Sequence, residues 1–260
     1  VENRPGAAGN IGTAIAAKAA PDGYTLSYIL LTTMAVNPHI YSNAGYHALN
    51  DFTPIITSYT GQALLVVPAT SPIRSVADLI AAAKAQPGKL TFPSGGVGSP
   101  QHLFAERLKR LAGIDLAHVP YKGDAQYLPE LISAQLSVAI NFPASALPHI
   151  KAGKLRVLAV SSNKRSAAFP EAPTLAEAGV AGYNETLWAG FAAPARTPPE
   201  RVRKLNEVLR EVLRSAEFVA YLDTLGYEPV ADTPEQAAAL IKSDYERYGK
   251  IVKELGLRVE

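Results

Sequence analysis

At 260 residues, with 48% hydrophobic and 18% charged positions, the chain can bury a large core in one or two domains. Its net charge of +2, without any run of basic residues interleaved with aromatics, argues against nucleic acid as a partner. Cysteine is absent, which excludes disulfides and thiolate metal sites, and apolar runs of about 5–8 residues are too short for insertion into a membrane.

Val1-Glu2-Asn3 reads as the tail of a strand entering Arg4-Pro5-Gly6. A helix is expected over Ile11 to Ala19, with Ile11 and Ile15 on one face, and Pro21-Asp22-Gly23 is a turn. Tyr24 to Leu31 is apolar without clean alternation, which suits a strand buried on both faces of a parallel sheet. Asn37 reads as a turn residue before Pro38. Ile55 to Val67 contains a second extended stretch, broken near Thr60-Gly61. A helix follows at Val76 to Gln86, where Ser75 and Asp78 have capping-box spacing and Pro87-Gly88 stops it.

The segment Thr91 to His102 is the most informative. An apolar stretch enters a loop with Gly95, Gly96 and Gly98, and then a helix in which Ser99 is a good N-cap and Pro100 stands at the first position. Glycines permit positive φ and close approach of a ligand to backbone. First-turn amides and the helix dipole then favour an anion. Phe104, Leu108 and Leu111 mark the inner face of this helix, which extends to about Ala112.

Ala117 to Pro120 is a short strand, and the helix near Ala125 to Gln135 carries Pro129, which demands a first-turn position or a kink. Strands at Ser137 to Phe142 and Leu155 to Ser161 flank a short helix within Pro143 to Gly153. Leu187 to Ala193 is extended, and the remainder reads as helical. Thr197-Pro198-Pro199-Glu200 has capping-box spacing before a helix with Val202, Leu205, Leu209 and Val212 inward. Phe218, Tyr221, Leu222 and Leu225 face inward on the next helix, and Thr233-Pro234-Glu235-Gln236 opens the last, with Leu240, Ile241, Tyr245, Tyr248 and Val252 on its apolar face. Strand–helix alternation followed by a helical tail implies a doubly wound α/β architecture.

The candidate ligand contacts are Ser94, Gly95, Gly98 and Ser99, because strand ends opening into helices are where α/β sheets bind ligands. Thr32, Thr33 and Ala35 follow an earlier strand and are candidates of the same kind. Tyr121 and Asp124 stand at another strand-to-helix turn, where Asp124 is expected to act as an N-cap, and Asn141 and Phe142 end a strand. His102 is read as structural, and Lys122 as solvent-exposed. Trp188 is read as packing near a crossover. The histidines show no ligand spacing, so no metal is expected. Neither a dinucleotide fingerprint, a Walker loop nor a Gly-x-Ser-x-Gly elbow is present, so no cofactor and no catalytic residue are assigned.

Seven strings in order carry a resemblance: Glu2 to Gly12 (ENRPGAAGNIG), Ala20 to Leu26 (APDGYTL), Asn37-Pro38-His39, Pro87 to Leu90 (PGKL), Gly98 to His102 (GSPQH), Val119 to Gly123 (VPYKG) and Pro173 to Gly179 (PTLAEAG). Together they resemble the Bug-type periplasmic solute receptors of tripartite tricarboxylate transporters, over essentially the whole chain. The resemblance implies a two-lobed, Venus-flytrap fold of the type II periplasmic-binding-protein class. Each lobe would be a mostly parallel sheet flanked by helices, joined by two crossover strands. The first lobe would comprise residues 1–60 plus 190–260, and the second 61–189. It also implies periplasmic localisation, capture of a small carboxylate between the lobes by backbone amides, hydroxyls and waters, and delivery to membrane permease subunits. Separately, a monomer is expected, with a neighbour's strand replacing the missing one as the alternative.

Three departures from the family pattern stand out. An upstream strand, loop and helix are missing, with Val1 inside the family's second strand, which points to a truncated chain. Asp124 replaces a small neutral residue, and Asn141 occupies a strand end that is often acidic. A carboxylate at Asp124 would repel a second ligand carboxylate and could pair an ammonium, which points to a monocarboxylate or an amino acid. The competing readings are an α/β enzyme acting on small acids, with Ser99 or His102 as reactive group, and a ligand-sensing module of a signalling system.

Overall fold

A computed structural model describes residues 1–258. The elements in chain order are α1 (Asn10–Ala17), β1 (Ser27–Leu30), α2 (Asn37–Ile40), β2 (Phe52–Gln62), β3 (Leu64–Pro68), α3 (Val76–Ala85), β4 (Thr91–Ser94) and α4 (Pro100–Ala112). There follow β5 (Ala117–Pro120), α5 (Asp124–Ile132), β6 (Ala139–Asn141), α6 (Pro143–Lys151), β7 (Leu155–Val160) and β8 (Thr186–Pro194). The chain closes with α7 (Pro199–Leu213), α8 (Ala216–Leu225), β9 (Tyr227–Pro229) and α9 (Pro234–Leu255). They form two compact units, Val1–Thr60 with Leu187–Glu260, and Gly61–Thr186.

In the first unit the strand order is β1-β8-β2-β9, with β1 antiparallel to β8, Ser27 opposite Ala192 and Leu30 opposite Ala189. Ile55, Ile56, Ala193, Val202 and Leu213 form a core between this sheet and α7. Gly190 on β8 is dictated by packing, because a Cβ there would stand 2.2 Å from the Ile56 carbonyl oxygen.

In the second unit β3 pairs antiparallel with both β6 and β7, and β4 pairs parallel with β5. β6 and β7 therefore run parallel to each other, with the reversed β3 between them. The amides of Ser137 and Val138 each donate to the Thr91 carbonyl at 3.2 Å, which brings the approach to β6 against β4. The α/β class is as expected, but β3 interrupts the mostly parallel sheet. Every residue of β3 is buried, so its sequence lacks the alternation that would report a face or a direction.

Local capping chemistry accounts for several helix starts. The reciprocal bonds of Ser75 with Asp78 open α3, and those of Thr233 with Gln236 open α9. At α7 the expected box does not form. The Thr197 amide and hydroxyl both bond to the Pro194 carbonyl, and Pro198 becomes the N-cap.

Other expectations are corrected. Residues 1–6 form no strand. Ile11 and Ile15 are exposed, and α1 buries Asn10, Thr13 and Ala16 instead. The strand expected from Tyr24 begins at Ser27, with Tyr24 and Tyr28 exposed, because β1 is paired on one side only, with β8. Val212 and Tyr221 face solvent, and β9 lies within the tail expected to be wholly helical. Thr32–Val36 is a π-helical turn running into α2, not a loop. Pro38 explains the widening, since its ring would clash with the carbonyl four residues earlier in a regular α-helix.

Candidate functional site

The second unit builds its site at the end of β4. Ser94 is fully buried, and its hydroxyl donates to the Gly96 carbonyl at 3.0 Å and accepts the Gly96 amide at 3.0 Å. His118 Nε2, on β5, lies 2.7 Å from the same oxygen. Gly96 (φ 115°) and Gly98 (φ 81°) take the positive φ that the tight loop requires. The Gly98 amide donates to His102 Nδ1 at 3.1 Å, and the Ser99 amide to the Gly96 carbonyl at 3.1 Å. Ser99 then caps α4 by accepting the His102 amide. The amides of Gly95, Val97 and Gln101 have no protein acceptor among the described residues. Those three are the loop's open donors, whereas Gly98 is engaged.

Beside this loop one carboxylate ties together the first turns of three helices. Asp124 is the first residue of α5 and not its N-cap, which is Gly123. Asp124 Oδ1 accepts from Gln101 Nε2 of α4 at 2.9 Å and from the Tyr127 hydroxyl at 3.1 Å. Asp124 Oδ2 accepts from Ser145 Oγ of α6 at 2.6 Å. Ser145 Oγ also lies 2.5 Å from Asn141 Oδ1, which accepts the Phe142 amide at 2.7 Å. Asp124 and Asn141, singled out separately in the sequence, thus meet on one hydroxyl. Asn141 is fully buried, and its Nδ2 has no partner among the described residues. Burial and the adjacent Asp124 carboxylate push the Tyr127 phenol well above its usual range.

Phe142 caps the start of α6 by position and packs edge-on to Phe104 at 6.2 Å. The Tyr121 amide donates to the Ser94 carbonyl at 2.9 Å, but its hydroxyl is directed to Glu130 at 2.5 Å, which pushes the phenol up to about 12. Tyr121 therefore joins the group through its backbone. Gln101, Tyr127, Ser145 and His118 were missed by the sequence reading. Only Tyr127 carried a signal, three residues after Asp124 on the same helix.

In the first unit Thr33 and Ala35 are buried and Thr32 is partly exposed. The Thr33 hydroxyl bonds to both the amide and the carbonyl of Leu30, at 3.1 and 3.2 Å. The Thr33 carbonyl accepts the Tyr46 hydroxyl at 2.5 Å. Asn37, expected as a turn residue, is helical and buried, and its Nδ2 donates to Asn10 Oδ1 at 2.7 Å and to the Ala8 carbonyl at 3.1 Å. The side-chain Nδ2 of Asn10 has no partner among the described residues. Thr33 also borders a cavity of about 500 Å³ lined by Arg4, Gly9, Thr13 and Tyr28. Trp188 is buried and donates to Asp244 at 2.7 Å within this unit. No cluster of three metal-ligating side chains occurs among the described residues.

A family model described as the tripartite tricarboxylate transporter family receptor matches residues 1–257. The chain belongs to this family. Among its relatives is protein BugT of Bordetella pertussis, 34% identical over 267 residues, covering all of this receptor and 80% of BugT. A solved structure of R. palustris Rpa4515 with adipate is 35% identical, with a TM-score of 0.89 over 99% of this receptor and 86% of that chain. MatC of Rhodopseudomonas palustris, solved with bound malate, is 27% identical, with a TM-score of 0.81 over 95% of this receptor and 85% of that chain. The receptor shares their α/β binding-protein fold. No helix among its described residues is long and apolar enough to cross a membrane.

Proposed function

We propose that this receptor captures a small carboxylate in the periplasm and delivers it to the permease subunits of a tripartite tricarboxylate transporter. The observation that carries the reading is the loop at the start of α4. Gly96, Gly98 and Ser99 hold its shape, while the Gly95, Val97 and Gln101 amides stay open to an anion. The two solved relatives, one with adipate and one with bound malate, support the same ligand class. Helix-terminus attraction supplies roughly 0.3–2 kcal/mol, and micromolar binding needs about 8 kcal/mol. Further donors are therefore required. Ser99, Asn141 and Phe142 are the proposed additional contacts on the second unit, and Thr32, Thr33 and Ala35 are the candidate contacts of the first unit taken by itself.

Asp124 sets the preference among carboxylates. Its charge stands among three helix starts that would otherwise all favour anions. It opposes a second ligand carboxylate and favours a monocarboxylate or an amino acid. Calorimetry with alanine, propionate and adipate tests this. Asp124→Ser is expected to tighten adipate about tenfold relative to propionate, and tight binding of adipate alone by the unaltered receptor would refute it.

Binding proceeds without turnover and by a monomer. Ser94 and His118 resemble a nucleophile and its base, but Ser94 is fully buried and its hydroxyl is tied to both the carbonyl and the amide of Gly96. Native mass spectrometry of purified protein, with recovery of the co-purifying acid after long incubation, checks both points. A chemically altered acid or a stable dimer would overturn them.

A further inference from the structure

The imidazole of His102 does more than fill space. It is 4% exposed and stacks on His118 with ring centroids 4.1 Å apart, and His118 stacks on Phe92 at 4.9 Å. The Gly98 amide donates to Nδ1 of His102, so Nδ1 carries a lone pair and the ring proton resides on Nε2. His118 in turn places its Nε2 2.7 Å from the Ser94 hydroxyl oxygen.

We propose that His102 is a positioning residue for ligand binding, whose unprotonated Nδ1 holds Gly98 and thereby the open amides on either side of it. The proposal rests on the reading of this loop as the carboxylate site. Protonation at Nδ1 would set one N–H against another and release Gly98. The surroundings oppose that event. The groups facing the ring are His118 from β5 and Glu106 and Lys109 from α4 itself, with Glu106 4.0 Å from Nε2 and Lys109 bridging Glu106 and Asp115. Burial, then the charges of His118 and Lys109, lower His102 to about 4. Burial lowers His118 as well. Two stacked imidazoles cannot both charge readily.

The test uses the full chain. Asn places an acceptor oxygen close to where His carries Nδ1, whereas Leu removes it. With adipate and propionate as calorimetric probes at pH 7.5, His102→Leu is expected to weaken binding at least tenfold and His102→Asn less than threefold. Equal losses in the two variants would overturn the proposal. Nitrogen-15 spectra of the unaltered receptor give a readout that needs no variant. The neutral ring should show the Nε2–H tautomer, and the Gly98 amide peak should move with the His102 titration. An Nδ1–H tautomer, or a Gly98 peak indifferent to that titration, would also overturn it. If neither probe binds the unaltered receptor, the carboxylate reading fails, while the spectra still decide the His102–Gly98 link.

Discussion

The two units build buried polar networks of different kinds. In the first, Asn10, Asn37, Tyr46 and Thr33 exchange hydrogen bonds through amides, a phenol and a carbonyl, all neutral at ordinary pH. In the second, a carboxylate and two imidazoles hold the loops. A neutral network fixes geometry and is indifferent to salt and pH. A charged one adds a sign to the site and couples it to protons.

Substitutions can break this contrast. The largest effect is expected at Gly190 of the first unit. Gly190→Ala drives a Cβ into the Ile56 carbonyl and should cost about 3 kcal/mol or more in urea denaturation. Asn37→Ala comes next, at about 1–3 kcal/mol, since it strips the Ala8 carbonyl and Asn10 of a buried donor. That cost should be the same at pH 7 and pH 5; a pH-dependent cost would erase the distinction between the units.

In the second unit acid should act through His102. His102 is depressed from 6.5 to about 4, so the unfolded chain binds the extra proton first. The stability that the neutral ring contributes is present above pH 6.5 and is lost as pH falls toward 4. Thermal melts of the His102→Asn variant should show a shallower acid decline than the unaltered receptor. The smallest stability effect is expected at Gly95. A Cβ there meets nothing closer than 3.8 Å, so Gly95→Ala should alter stability by less than about 0.5 kcal/mol while weakening carboxylate binding. A large stability loss would show the residue to be structural.

What the sequence revealed was mostly local. The starts of α3, α4 and α9 follow from residues within four positions of each other, and the glycine loop was visible for the same reason. Family strings identified the class of protein. Residues joined across long separations were hidden. Gln101 reaches Asp124 and Ser145 reaches back to it, while no spacing rule links residues on three different helices. The engagement of Gly98 by His102 needs the ring orientation that His118 and Phe92 impose. Ile11, Ile15 and Val212 misled because apolar periodicity marks a face without saying whether anything covers it.

One more consequence follows from the chain path. Gly61–Thr186 is a single uninterrupted stretch, whereas the other unit needs Ser27–Leu30 to find Ala189–Ala192 across it. During vectorial synthesis the inserted stretch can therefore consolidate while its host still waits for the C-terminal third to be made. Pulse-labelled hydrogen exchange on refolding should protect Val66 before Ile29; simultaneous protection would mean that the two assemble as one cooperative body.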